Sequence, residues 1–206
     1  QRRVSEVTFL PLHLAALDAM LQGGAPCGGI TELVGPAGAG KTQLCKLLSV
    51  VATLPVSQGG LAGTVLYIDT ESRFSPMRLL EIAKERFPLR FATEETQHRL
   101  VEAVFVVKPQ TTAELMAVLQ TEAQARIIDR GVKLIVLDSV AALPRIEFGR
   151  EQIPERQEAL GTLAATLKSL AEHFRIPVVV TNQVTTRISA ASEPRFRFED
   201  SMPRVA

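Results

Sequence analysis

Gly35, Gly40, Lys41 and Thr42 stand at the spacing G-x-x-x-x-G-K-[ST], with Pro36, Ala37, Gly38 and Ala39 between the two glycines. Glycines here let the backbone curl until successive N–H groups face inward. A helix beginning at Lys41 would turn its positive dipole end on the same point. The chemistry this predicts is polyphosphate binding: Lys41 reaches the β- and γ-phosphates, and the Thr42 hydroxyl ligates Mg²⁺. The plain alternative is a glycine-rich turn that binds nothing.

Three polar residues at the ends of apolar runs extend the candidate site. Asp138 closes Leu134-Ile135-Val136-Leu137, where a carboxylate can hold a magnesium ion beside Thr42, largely through water, or else cap a helix. Glu71 follows Asp69 by two residues and can orient and polarise the water attacking a γ-phosphate. Asp69 itself is the alternative, as is a solvated acid with no role. Gln183 follows Thr181-Asn182, where its amide could bond the γ-phosphate and report its loss to the chain beyond; it also reads as an ordinary polar loop residue. His13, His98 and His173 have no partnered spacing and read as structural or solvated. Cys27 and Cys45 lie in no metal-ligand spacing and read as inert thiols.

These side chains can meet only if the elements carrying them converge. Residues 30–34, 64–69, 103–107, 134–138 and 177–182 are short apolar, β-branched runs. Between them lie helical patterns at 41–53, from Pro76 onward, at 112–130 and at 155–174. In the last, Leu160, Leu163, Leu167, Leu170 and Phe174 recur at spacings of three and four, a stripe for packing on a sheet. Strands apolar on both faces that alternate with helices predict an α/β fold with a mostly parallel central sheet flanked by helices, and ligand sites beyond the strands' carboxyl ends.

A chain of 206 residues with 46% apolar and 22% charged residues predicts one compact core, residues 1–206, and excludes disordered and disulfide-scaffold classes. No apolar run nears the roughly 20 residues of a spanning helix, so no membrane role is expected. With 23 basic against 22 acidic side chains, any DNA contact must come from a local patch. Residues 1–13 read as a lead-in or a linker remnant, 143–154 as a first loop region and 184–206 as a second. An α/β core rarely stops directly after a core strand, so truncation or discontinuity is expected in that last segment.

Taken together, these segments resemble the ATPase core of the RecA-type recombinases, in their eukaryotic and archaeal branch, over residues 14–183. The likeness is carried by Leu17-Asp18, Leu21, Gly23-Gly24, Gly28 and Thr31-Glu32, then by Gly40-Lys41-Thr42-Gln43, Tyr67-Ile68-Asp69-Thr70-Glu71, Leu137-Asp138-Ser139-Val140 and Thr181-Asn182-Gln183. Ala52-Thr53-Leu54-Pro55, Gly59-Gly60-Leu61, Phe74-Ser75 and Arg86-Phe87-Pro88 make it most similar to the B-type paralogues of the eukaryotic recombinase. That resemblance implies a P-loop fold binding ATP and Mg²⁺. It also implies a nuclear recombination mediator that joins other paralogues in a heteromeric complex, engages single-stranded or forked DNA and assists the recombinase filament.

By the same likeness Gln43 belongs to the phosphate signature and Arg78 to the adenine side, unless it is a solvated helix arginine. Arg145, Arg150, Arg187, Arg195 and Arg197 fall in the family's two DNA loops, although a solvated loop explains the first two as well. ATP lies between neighbouring subunits in this family, so slow hydrolysis that depends on partner and DNA is expected. Ser72-Arg73 stands where the strand-exchange protein has Gly-Thr, and Ser75 stands where it has Arg. With no Phe-x-x-Ala segment and no room before Gln1 for a helical N-terminal domain, self-assembly into a long filament is not expected. A hexameric helicase-type motor on the same fold and a non-hydrolysing, ATP-bound assembly module are the alternatives.

Overall fold

The computed structural model describes residues 9–149 and 151–184. In chain order its elements are β1 (Phe9–Leu10), α1 (Ala15–Met20), β2 (Ala25–Pro26), β3 (Ile30–Gly35), α2 (Lys41–Thr53), β4 (Thr64–Asp69), α3 (Pro76–Arg86), α4 (Glu94–Glu102), β5 (Val104–Val107), α5 (Thr112–Ala117), α6 (Ala123–Arg130), β6 (Val132–Asp138), α7 (Ala142–Glu147), α8 (Ile153–Phe174) and β7 (Val178–Gln183). Strands β3 to β7 form one parallel sheet in the order β3-β7-β6-β4-β5, while β1 and β2 make a short antiparallel pair.

The strands are apolar throughout because both faces are covered, and the two-residue period sorts their side chains. Val65, Tyr67, Leu134, Val136 and Val179 pack on one face with Leu48 and Val51 of α2 and Leu79 of α3. Their neighbours Leu66, Ile68, Ile135, Leu137, Val178 and Val180 pack on the other face against Leu115 of α5 and Leu163 and Leu167 of α8. The leucine stripe of α8 is therefore core: Leu163, Leu167 and Leu170 are buried, and Leu160 and Phe174 pack at its margin.

The structure departs from the sequence pattern in three places. Residues 112–130 are not one helix, because Val118–Glu122 form a π-helical turn between α5 and α6. The Thr121 hydroxyl donates to the Ala117 carbonyl at 2.6 Å, taking the acceptor that a regular α-helix reserves for a backbone N–H. Residues 143–154, expected as a loop, are helical through Glu147 and again from Ile153. Buried Leu143 and Pro144 dock α7, and its Glu147 carboxylate accepts the Thr112 N–H at 2.6 Å. The β1/β2 pair, α1 and α4 lie in segments to which the sequence assigns no element. In α1 the Asp18 carboxylate accepts the N–H groups of Leu12 and Leu14. In α4 a single residue, Leu100, is buried, so no apolar period shows.

The parallel registers decide what meets at the carboxyl ends. Asp69 stands beside Asp138, Gly35 beside Gln183 and Leu33 beside Thr181.

Candidate nucleotide site

The loop from Gly35 to Gly40 turns β3 into α2 through two left-handed residues, Gly38 (φ +78°) and Gly40 (φ +89°). A Cβ at Gly40 would meet nothing within 4 Å, so glycine is needed there for its backbone angle and not for space. Gly40 is also the N-cap of α2. It offers no side-chain cap and the first turn holds no acidic residue, so the first-turn N–H groups are left open for an external anion. Lys41 folds over this loop, its Nζ donating to the Gly35 and Pro36 carbonyls at 2.9 Å each.

Asp138 is the hub behind the loop. One oxygen of its buried carboxylate accepts the Thr42 and Tyr67 hydroxyls, each at 2.8 Å, and the other accepts the Thr181 hydroxyl at 2.6 Å. Hydrogen bonds to a carboxylate contribute about 1.5–3 kcal/mol each, so three of them offset much of the cost of burying this side chain. Burial, followed by nearby negative charge, pushes the Tyr67 phenol far above its usual range, so it remains a donor. Thr42 gives its only proton to Asp138, which leaves its oxygen lone pairs free for a cation. Among the described residues no group of three or more His, Cys, Asp or Glu side chains is placed to hold a metal. This donor set fits Mg²⁺, which takes few protein ligands and completes its shell with water and phosphate oxygens.

Glu71 lies on the turn after β4. It lines a cavity of about 290 Å³ together with Lys41, Thr42, Lys46, Asp138 and Gln183, and it pairs with Arg73 at 3.5 Å. Ser72 in that turn has φ +54°. Asp69, the alternative to Glu71, is committed elsewhere: its buried carboxylate accepts the N–H groups of Arg73 and Phe74 at 3.0 and 2.8 Å and so shapes the turn. Thr70 and Ser139 join the ends of β4 and β6 with a reciprocal latch: the Thr70 hydroxyl donates to the Ser139 carbonyl at 2.8 Å and accepts the Ser139 N–H at 2.7 Å.

Gln183 reaches the same cavity from β7, and its backbone carbonyl accepts the Arg145 guanidinium at 3.2 Å. Arg145 therefore ties α7 to the end of β7. Arg78 lies on the other flank of the loop, donating to Gln43 at 2.8 Å and pairing with Glu81. It borders a larger hollow of about 620 Å³ with Leu17, Leu44, Leu47 and Ile82. Arg150, Arg187, Arg195 and Arg197 lie outside the described residues. The sequence reasoning missed Lys46, Thr181 as a partner of Asp138, and the Tyr67 hydroxyl. The one available signal was a lysine inside the apolar run Leu44-Cys45-Lys46-Leu47-Leu48, four residues past Thr42. Both cysteines have thiols pushed up by burial, which suits inert side chains.

A parallel five-stranded sheet, a glycine-lined turn from β3 into α2 and a hydroxyl–carboxylate pair across the strand ends define a RecA-like P-loop domain. The sequence matches the Rad51 family over residues 3–203, and the chain belongs to that family. It is 48% identical over 186 residues to DNA repair protein RAD51 homolog 2 of Mus musculus, covering 89% of this chain and 53% of that protein. The protein of the same name from Arabidopsis thaliana is 41% identical, with 93% and 53% covered. DNA repair protein rhp51 of Schizosaccharomyces pombe is 37% identical, with 92% and 50% covered. The chain thus spans about half the length of the curated relatives it matches.

Proposed function

We propose that this chain is the ATP-binding core of a recombination mediator. In this reading it is a nuclear DNA-repair ATPase that works in a heteromeric complex with other recombinase paralogues, engages single-stranded or forked DNA and assists the recombinase filament. The observation that carries the reading is the Thr42 hydroxyl 2.8 Å from Asp138, immediately behind the loop of open N–H groups. An oxygen whose proton is already given away, beside a buried carboxylate, suits a divalent cation with its polyphosphate. The names of the relatives supply the DNA-repair context.

The open N–H groups of the loop and of the first turn of α2 cradle the phosphates, and Lys41 exchanges the Gly35 and Pro36 carbonyls for phosphate oxygens. Thr42, with Asp138 behind it, would hold Mg²⁺, and the chemistry the ion would supply there is neutralisation of phosphate charge. Glu71, on the cavity wall, orients the attacking water and accepts its proton. The Gln183 amide reads the terminal phosphate, and Arg145 links that strand end to α7. Arg78 and Gln43 flank the adenine side. Arg145, Arg150, Arg187, Arg195 and Arg197 contact DNA phosphates without regard to sequence.

Cationic groups supplied by a neighbour can be worth about 10³–10⁵ in rate, so the chain alone turns over slowly. The test is ATP turnover of the assembled complex, with and without single-stranded DNA, for wild type and Glu71→Gln. DNA should raise turnover. Glu71→Gln should lower it by about 10²-fold or more while nucleotide binding and assembly persist. Repair function undiminished by Glu71→Gln would leave ATP as a structural ligand of an assembly module, and strand unwinding would favour the helicase-type motor.

A further inference from the structure

Lys46 lies one helical turn beyond Thr42 on the same side of α2, and its side chain is buried, at 3% relative exposure. A buried ammonium carries a full charge and three N–H donors, and both need partners. Among the described residues it donates to one acceptor, the Arg73 carbonyl at 3.3 Å, and no carboxylate lies within 4.0 Å of it. The two acids whose charge it feels are already occupied: Asp138 accepts three hydroxyls and Asp69 accepts two backbone N–H groups. The Phe74 ring, 5.8 Å from Nζ, adds a cation–π contact but offers no lone pair. Two donors are therefore left to the cavity of about 290 Å³ that Lys46 lines with Lys41, Thr42, Glu71 and Asp138.

We propose that Lys46 is a second phosphate-directed ammonium, which engages the terminal phosphate of a nucleoside triphosphate and so sets this site's preference for triphosphate over diphosphate. The inference rests on the nucleotide reading above. Lys41 sits on the loop carbonyls at the cavity's mouth, whereas Lys46 is bonded to the turn that bears Glu71. A phosphate chain entering over the loop and the α2 N-terminus meets Lys41 first, and only its far end comes within range of Lys46. ADP, one phosphate shorter, does not need it.

The test is calorimetric titration of the chain with ADP and, separately, with a non-hydrolysable ATP analogue, both with Mg²⁺, for wild type, Lys46→Met and Lys46→Arg. Methionine matches the stem in length and shape without the charge, so Lys46→Met should fold, and Lys46→Arg restores a buried cation should it not. Loss of a charge-assisted contact should lower triphosphate affinity about tenfold in Lys46→Met and leave ADP within about twofold. Lys46→Arg should recover part of the ratio. An unchanged ratio of the two affinities, whether both fall together or neither moves, would overturn the proposal and leave Lys46 a structural tie to Arg73. Failure of the wild type to bind either nucleotide would instead overturn the nucleotide reading on which the inference rests.

Discussion

Asp138 shows how one carboxylate can organise three strands and a helix. It takes hydroxyls from α2, β4 and β7, and it stands beside Asp69 in the register of β4 with β6. Removing one donor should therefore register in the stability of the whole core. Tyr67→Phe keeps the ring against Phe74, 4.7 Å away between centroids, and deletes only the hydroxyl. The expected loss is about 1.5–3 kcal/mol, read as a lower urea midpoint with an unchanged slope. An unaltered midpoint would mean that Thr42 and Thr181 suffice. The pairing of Thr42 with Asp138 was legible in the sequence because loop spacing and a strand-ending acid are local patterns. The roles of Tyr67 and Thr181 were not, since each depends on which neighbour a parallel register delivers, and a hydroxyl inside an apolar strand looks like any half-polar core residue; the contact of Lys46 with Arg73 depends on how α2 packs beside the turn after β4.

At the scale of elements, the strongest patterns were read best. Helix α2 begins and ends where the glycine turn and the apolar run predict, and the strand at Thr64–Asp69 matches residue for residue. The misses share a physical cause. Helix α4 buries one residue, α1 is six residues long, and α7 is a short helix whose docking depends on Leu143 and Pro144 finding the core. Helix α4 rests on local signals instead of an apolar stripe: the Thr93 hydroxyl caps it, Glu94 and Glu95 open it and Arg99 lies in its last turn. Helix α8 ends on a further feature that its leucine stripe does not reveal, because Arg175 closes it at φ +52°. A left-handed conformation costs a non-glycine residue on the order of 1 kcal/mol. Arg175→Gly should accordingly raise thermal stability, by roughly 1 kcal/mol in a denaturant melt. A destabilised variant would mean that the arginine side chain contributes more than its backbone strain costs.

Across the whole molecule, β3, β7, β6 and β4 are parallel neighbours, so the phosphate loop after β3, the Asp138 hub at the end of β6 and the Glu71 turn after β4 all lie at the carboxyl end of the sheet. Two hollows flank that loop: a polar one of about 290 Å³ lined by Lys41, Thr42, Glu71 and Asp138, and a largely apolar one of about 620 Å³ beside Arg78. In the proposed reading the first takes phosphates and metal, and the second the adenine side. Both hollows share Gly40, Lys41 and Gln43 at the start of α2, beyond which Thr42 and Lys46 line the first and Leu44 and Leu47 the second. The most direct test of nucleotide binding is calorimetric titration of folded wild-type chain and Lys41→Ala with ATP and Mg²⁺, alone and with cognate subunits. Saturable heat from roughly one site per chain, weakened at least about tenfold by Lys41→Ala, is the predicted result. Heat absent from the wild type under both conditions, or identical in the variant, would contradict it.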